Sequence, residues 1–172
     1  VDITERKRGE EALRASEDRF RAFMEFLPDY VVIKDFESRP VYVNQRFLDT
    51  FVTDGRMGRL PREVFDPVTA ARVEEMDARA LRDGFVVYDE EWPDKAGGRR
   101  LLEIRKFRIE RESGSPLVGT ILTDITQRRY NEEKYRVLFE TSSEGILVLK
   151  DLRIVDCNPQ ALVMFACQRE DL

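Results

Sequence analysis

An internal repeat constrains this chain more than any other feature of its sequence. The motif VDITERKR at residues 1–8 returns as TDITQRR at residues 123–129, and the segments that follow the two copies also match. Phe20 corresponds to Tyr135, and the run VVIKD corresponds to ILVLKD. The chain therefore contains two copies, or parts of copies, of one structural unit.

The period of the repeat indicates the size of that unit. One residue deleted between the strands aligns Asn44 with Asn158, and Asp2 and Asp124 stand 122 positions apart. Solenoid repeats are roughly 20–50 residues long, whereas this period is the size of a small domain. The sequence therefore predicts a linker helix after a preceding domain of the same kind (1–15), a complete domain (16–126), a second linker helix (127–137) and the truncated start of a following domain (138–172).

The composition favours a small folded domain with polar helices. Hydrophobic residues make up 42% of the chain, which is enough for a core, and charged residues make up 37%. The net charge of −5 gives no general attraction to nucleic acid or to anionic membranes. Apolar runs are too short to cross a bilayer. We expect no nucleic-acid partner and no direct membrane contact.

Two residue types exclude several functions. The chain has no histidine, which excludes a phosphoacceptor histidine, an imidazole general base and a proximal haem histidine. Cys157 and Cys167 form neither metal-ligand spacing nor a disulfide framework. A reducing cytoplasm is the simplest setting. Neither a paired acid and base, a phosphate-binding loop nor a nucleophile motif is recognisable, so we expect a regulatory domain and not an enzyme.

Periodicity predicts the elements. A helix over residues 3–27 carries Leu13, Phe20 and Leu27 seven positions apart, which suits a partner helix; alternatively its last two turns lie on the domain's own sheet. Asn44 is placed to cap a short helix. The predicted order is helix, two strands, short helices, a longer helix, three strands and a helix. This order favours an α+β fold, a five-stranded antiparallel sheet with helices over one face.

One predicted strand has an irregular pattern. Within residues 100–110, Leu102 and Ile104 share one phase, whereas Phe107 and Ile109 share the other. A strand buried on one face keeps a single apolar phase. The pattern therefore predicts a bulge or twist near Arg105-Lys106.

Three segments together resemble a PAS domain of the kind found in tandem in sensor proteins. They are LPDYVVIKDFESRPVYVN, LLEIRKF and GTILTDITQRR, and the resemblance covers residues 16–126 as a whole domain and 131–172 as part of another. The resemblance implies a sensory and dimerisation module. Where many such domains have Lys-x-Pro in the penultimate strand, this chain has Lys106-Phe107-Arg108, which suggests a more polar edge.

The resemblance also limits the cofactor. Haem held by histidine is excluded, and residues 45–66 lack the cysteine that cysteinyl-flavin or thioester chromophores require. A non-covalent flavin, a small metabolite or no ligand at all remain open. Pocket candidates are Phe47, Phe51, Phe65, Phe85, Tyr88 and Trp92, although core packing is the favoured interpretation of these aromatic residues.

Three basic residues are candidates for an anionic ligand. They are Lys34, Arg105 and Lys106. The favoured alternative is that they lie in solvent or pair with acids such as Glu103.

The motif at the domain exit is the stronger functional candidate. By resemblance, Asp124 ties the last strand to the outgoing helix, often through an arginine such as Arg128 or Arg129, and Thr126 can cap that helix. A carboxylate beside a helix N-terminus is favourable by about 0.3–1 kcal/mol. The alternative is a simple cap; we favour a signalling joint.

The two linkers keep the same helical phase. The interval from Asp2 to Phe20 exceeds that from Asp124 to Tyr135 by seven residues, one heptad. A heptad turns the same face to a partner with about 20° of drift. This spacing favours a homodimer whose linker helices run in parallel.

These patterns together favour a sensory or relay module of a cytoplasmic multidomain sensor. A two-component histidine kinase is the expected output, with neighbouring PAS domains in the same protein. The alternatives are a ligand-free dimerisation scaffold, or the same module in a diguanylate cyclase or a transcriptional regulator.

Overall fold

The structure is a computed structural model that describes residues 3–51 and 57–168. Asp2 of the linker comparison and residues 169–172 of the second copy lie outside the described residues. The chain forms two compact units, Val1–Ile125 and Thr126–Leu172.

The described residues of the first unit form four helices and five strands. In chain order they are α1 (Ile3–Phe26), β1 (Tyr30–Lys34), β2 (Pro40–Val43), α2 (Gln45–Phe51), α3 (Pro61–Val64), α4 (Pro67–Asp83), β3 (Phe85–Pro93), β4 (Arg99–Ile109) and β5 (Leu117–Asp124). The strands form one antiparallel sheet in the order β2-β1-β5-β4-β3. The predicted α+β fold and five-stranded sheet are confirmed.

The central helix α4 begins and ends where local chemistry requires. Asp66 caps its N-terminus, and its Oδ1 accepts hydrogen bonds from the backbone N–H groups of Val68 and Thr69, both at 3.1 Å. Pro67 follows at the first helical position, where its missing N–H costs nothing. Gly84 ends the helix with φ 87°, a conformation that glycine adopts without strain.

One face of the sheet holds the core. Tyr30, Val32, Leu102, Ile104 and Leu122 are buried there against α2. Alternate residues along each strand point to this face, which we call the inner face. The inner face also provides one side of the cavity between the sheet and the helices.

The predicted bulge in β4 is wrong. Residues Leu102–Ile109 pair with β5 without a register shift, and β3 pairs with β4 equally regularly. The strand stays in phase because Lys106, and not Phe107, is the buried continuation of Leu102 and Ile104. The prediction failed because it assumed that the buried residues of the strand are all apolar, whereas Lys106 is charged and buried.

Asn44 and Asn158 confirm the repeat at the level of single hydrogen bonds. Asn44 Oδ1 accepts from the backbone N–H of Val31 at 3.0 Å and of Phe47 at 3.2 Å, which caps α2. Asn158 Oδ1 accepts in the same way from Ile146 at 2.8 Å and from Ala161 at 2.9 Å. Each asparagine joins the start of a hairpin to the helix that follows it.

The described residues of the second unit repeat the opening elements of the first, a helix, a hairpin and a short helix. It contains α5 (Thr126–Thr141), the hairpin β6 (Leu147–Lys150) and β7 (Arg153–Cys157), and α6 (Pro159–Phe165). Among the described residues of both units, no helix combines the length and the apolar character needed to cross a membrane.

Candidate functional site

A cavity of about 300 Å³ lies between the inner face of the sheet and the helices α2, α3 and α4. This volume is at the lower end of small-molecule sites, which measure roughly 300–1,000 Å³. The sheet contributes Val32, Lys34, Tyr88, Trp92, Ile104, Lys106, Thr120 and Leu122 to its lining. The β2 strand of the sheet also contributes Pro40 and Val43. The helices and loops contribute Ser38, Phe47, Leu48, Met57, Arg59, Pro61, Val64, Phe65 and Val73.

Four of the six predicted aromatic residues line this cavity. They are Phe47, Phe65, Tyr88 and Trp92. The Trp92 ring contacts the rings of Phe47 and Phe65 edge to face, with centroids 6.5 and 6.0 Å apart. Such edge-to-face pairs are favourable by about 0.5–1.5 kcal/mol beyond their burial. The aromatic cluster therefore forms an apolar wall of the cavity.

The other two aromatic residues lie elsewhere. Phe51 is buried in the core, where its ring lies 4.8 Å from Tyr30 and 5.8 Å from Trp92, so the core-packing interpretation describes it. Phe85 is 55% exposed and does not line the cavity, which corrects its assignment as a pocket candidate. Phe85 is in the outward phase of β3, next to the buried Val86, because successive residues of a strand face opposite sides.

A charged cluster closes one part of the cavity wall. Lys34 of β1 and Lys106 of β4 are buried, and both bind the buried carboxylate of Asp77 on α4. Lys34 Nζ lies 2.8 Å from Asp77 Oδ2, and Lys106 Nζ donates to Oδ1. Both lysines are buried and do not lie in solvent, but the expected pairing with an acid holds for them, and Arg105 pairs with Glu103.

Burial and mutual charge set the ionisation of this cluster. Burial alone would raise the pKa of Asp77, but the ammonium groups of Lys34 and Lys106 hold it below its usual value. Burial, together with the neighbouring Lys34, lowers the pKa of Lys106 to about 8 against the attraction of Asp77. Burial and the nearby carboxylate of Glu90 raise the pKa of Tyr88, so its hydroxyl stays protonated.

A second charged cluster, centred on Arg100, lies near the end of β5. Arg100 of β4 donates to Asp124 Oδ2 at 2.7 Å and to Asp94 Oδ2 at 3.1 Å. The backbone N–H of Ile125 donates to Leu101 O at 2.9 Å. The last residue of β5 is thus fastened to β4 directly before α5 begins at Thr126.

The four residues of the predicted signalling joint lie at the end of β5 and at the start of α5. Asp124 ends β5, and Thr126 is the first residue of α5. Arg128 and Arg129 lie in the first turns of α5, 3.8 and 4.0 Å from Glu132. Their assigned role at Asp124 stays a prediction.

Comparison with known families identifies the fold. A family model described as a PAS fold matches residues 24–130, more than half of the chain. The chain belongs to the PAS family. A second model, described as a PAS domain, matches residues 133–172, so the repeat in the sequence is a repeat of PAS sequence.

Solved PAS structures are similar to this chain at low identity. A PAS domain of an HTR-like protein from Haloarcula marismortui is 25% identical with a TM-score of 0.56; the match covers 69% of this chain and 99% of that one. The BvgS PAS domain from Bordetella pertussis is 24% identical, with a TM-score of 0.51 and coverage of 72% and 96%.

A third similar structure belongs to a longer protein. VqmA from Vibrio cholerae is 21% identical with a TM-score of 0.54, and the match covers 64% of this chain and 53% of VqmA. The matched part thus spans about half of VqmA, and the likeness shows the fold alone. No curated protein sequence matches the chain significantly.

Asp77 and Arg100 of this PAS domain were not predicted as site residues, although the sequence pattern around each of them indicates a buried or paired charge. Asp77 falls between Val73 and Ala80 on the apolar face of α4, where an aspartate requires a buried partner. Arg100 is two residues before Leu102, which pairs with Asp124, so strand alternation places both charged groups on one side. Within the described residues, no cluster of three or more potential ligands could hold a metal ion.

Proposed function

We propose that this PAS domain is a sensory and relay module that couples the state of its cavity, or movement from a preceding domain, to the outgoing helix α5. The observation that carries the proposal is that the Arg100 side chain binds two carboxylates at once. It joins the last residue of β5 to the β3-β4 end of the sheet, through Asp124 and Asp94.

A short path leads from the cavity to this joint. Trp92 lines the cavity, and its register partner across β3 and β4 is Arg100. A ligand that displaces Trp92 shifts the strand pair on which Arg100 sits, and Arg100 holds Asp124. Small shifts in packed elements become discrete movements of whole helices because packed interfaces deform in steps. Asp124 precedes the first residue of α5 by two positions, so α5 receives the movement.

The proposal includes a homodimer formed through the linker helices. Leu13 and Phe23 on α1 are 62% and 63% exposed, which is unusual for large apolar side chains on one helix. On α5, Tyr130, Tyr135 and Leu138 are also exposed. Contact between the linker helices of two chains would remove these surfaces from water.

The proposed setting is a cytoplasmic sensor protein with neighbouring PAS domains and a histidine kinase as output. Among the described residues Cys157 and Cys167 form no disulfide, which suits a reducing compartment. A diguanylate cyclase or a transcriptional regulator are alternative outputs; VqmA, whose dimer has target DNA, is an example of the latter kind. A ligand-free scaffold is the alternative to a sensor.

A substitution at Arg100 tests the joint. Arg100→Gln removes a charge-assisted hydrogen bond to Asp124 that contributes about 1 kcal/mol at a partly exposed site. We expect hydrogen exchange of the amides at residues 122–130 to become roughly fivefold faster. Arg99→Gln is the matched control, because Arg99 binds only the exposed Glu91 among the described residues. Equal exchange at residues 122–130 in both variants would contradict the coupling.

Native and denaturing masses of the purified chain then separate the two modes of input. Additional mass that is lost on denaturation indicates a cavity ligand and therefore a sensor. A dimer without additional mass indicates a relay of upstream movement.

A further inference from the structure

The buried cluster at the cavity wall carries more positive than negative charge. Two ammonium groups, Lys34 and Lys106, share the single carboxylate of Asp77, which leaves a formal excess of one positive charge. Both lysines line the cavity, whereas Asp77 is 1% exposed and is not part of its lining. The excess charge therefore lies on the cavity side of the cluster.

A structural role for this cluster would need only one lysine. A single ammonium neutralises Asp77, and a second buried charge without its own counter-ion is costly. An ammonium has three N–H donors. Within residues 3–51 and 57–168, each of the two ammonium groups makes one hydrogen bond, to Asp77. Donors and charge are thus left for another acceptor.

Thr120 supplies a second, independent observation. It lies on β5 opposite Lys106 in the register, and its side chain lines the same part of the cavity. Thr120 is 4% exposed, and its Oγ1 has no hydrogen-bond partner among the described residues. Buried hydroxyl groups are nearly always hydrogen-bonded. An acceptor in the cavity would satisfy this hydroxyl and both ammonium groups.

The remainder of the cavity defines the body of the ligand. Phe47, Phe65 and Trp92 form an apolar aromatic wall. Arg59 also lines the cavity, but it is exposed and donates to Glu63 O. The buried part of the lining therefore has one excess positive charge, which matches a monoanion better than a doubly charged phosphate. We propose that the cavity binds a small monocarboxylate with an apolar body, whose carboxylate lies against Lys34, Lys106 and Thr120. This inference rests on the proposed sensory function and specifies its ligand class.

A matched pair of probes tests the inference. 3-Phenylpropanoate and its amide, 3-phenylpropanamide, have nearly the same shape and differ in charge. Trp92 is the single tryptophan of the chain and lines the cavity, so its fluorescence reports occupancy. We expect the acid to bind at least roughly tenfold more tightly than the amide at pH 7, with calorimetry as the second readout.

Three variants locate the subsite. Lys106→Met and Thr120→Val are expected to bring the affinities of acid and amide to within about threefold of each other. The Lys34–Asp77 pair remains in both variants, so the fold is retained. Lys95→Met is the matched control, since Lys95 is exposed and outside the cavity lining; it should keep the full preference for the acid.

The preference for the acid should also fall as pH rises from 7 to 9.5. Lys106 loses its proton in this range, among the groups Asp77 of α4, Lys34 of β1 and Tyr88 of β3. A neutral Lys106 leaves no excess charge in the cluster.

Equal affinity for acid and amide would overturn the carboxylate subsite and leave a neutral-ligand sensor. Absence of binding by either probe at millimolar concentration would also overturn it. The exchange measurement on Arg100→Gln uses no ligand, so it decides separately whether the relay function fails as well.

Discussion

A lysine side chain keeps its charge in a protein interior only where a carboxylate compensates for the lost hydration. Lys34 and Lys106 both depend on Asp77 in this way, and all three side chains are almost fully buried. Asp77 is thus the residue on which the polar part of the core depends.

The substitution Asp77→Asn keeps the shape of the side chain and removes its charge. Two ammonium groups are then buried without a counter-ion, and we expect the free energy of unfolding to fall by about 3 kcal/mol or more. Chemical denaturation at pH 7 measures the loss. Asp83→Asn, on the exposed end of the same helix, is the control and should change stability by less than about 0.5 kcal/mol. Equal effects would show that the cluster does not stabilise the fold.

Lys106 gives the stability of the domain a specific pH dependence. The folded protein releases this proton near pH 8, whereas the unfolded chain holds it until about pH 10.4. Between these values the unfolded state binds more protons, so stability rises with pH. Relative to Lys106→Met, we expect the wild-type chain to gain about 2 kcal/mol from pH 7.5 to pH 9.5. Urea unfolding at both pH values checks this, and parallel profiles would contradict the shifted pKa.

At the scale of elements, the centre of the sheet depends on a close approach between β4 and β5. Gly119 of β5 pairs with Phe107 of β4, on the face opposite the cavity. A Cβ atom at Gly119 would lie 2.5 Å from the Phe107 ring. The aromatic ring lies over the glycine because no side chain is present there.

The variant Gly119→Ala should therefore displace Phe107 and lower the free energy of unfolding by about 1–3 kcal/mol. The control is Gly9→Ala on α1, where nothing lies within 4 Å of the added methyl group. That substitution favours the helix and should raise stability by up to about 1 kcal/mol. A neutral Gly119→Ala would show that Phe107 moves without cost. Thermal and urea unfolding measure both variants.

At the scale of the whole molecule, the exposed linker helices suggest assembly. The large apolar side chains Leu13, Phe23 and Phe26 of α1 are mostly exposed, whereas Phe20 contacts Tyr42 with ring centroids 5.4 Å apart. The contact of the last turns of this helix with the domain is observed, whereas its pairing with a partner helix stays a prediction. Its last turns are attached to the domain, and its remaining apolar face is available to a second chain.

The variant Leu13→Glu/Phe23→Glu should weaken a dimer formed through α1. Four like charges placed along one helix pair oppose its association. We expect sedimentation velocity to show dimers for the wild-type chain and a dissociation constant raised by about tenfold or more for the variant. Val68→Glu is the control, because Val68 is exposed on α4 and not on a linker helix. A wild-type monomer, or loss of the dimer in the control, would contradict this arrangement.

The architecture of this PAS domain could be predicted from the sequence because its signals are local. Apolar periodicity, the Asp66-Pro67 start and the Gly84 end of α4 depend on neighbouring residues alone. Asn44 could be identified as a cap for the same reason, and the repeat aligned it with Asn158, which accepts the equivalent hydrogen bond from Ala161. The Asp124 motif was found through the repeat of residues 1–8 at residues 123–129 and through its resemblance to the exit of a PAS domain.

The cavity and its charged cluster were decided only by the tertiary structure. Lys34, Asp77 and Lys106 come from β1, α4 and β4, and nothing in one segment shows that the others are near. A buried lysine looks like an exposed one in the sequence, because burial depends on the carboxylate that meets it. For this reason the bulge in β4 was wrongly predicted. The sequence by itself determined the helices and strands and their order. The tertiary structure decided which charged side chains are buried, because a charge is stable in a medium of low dielectric only where distant segments bring a partner to it.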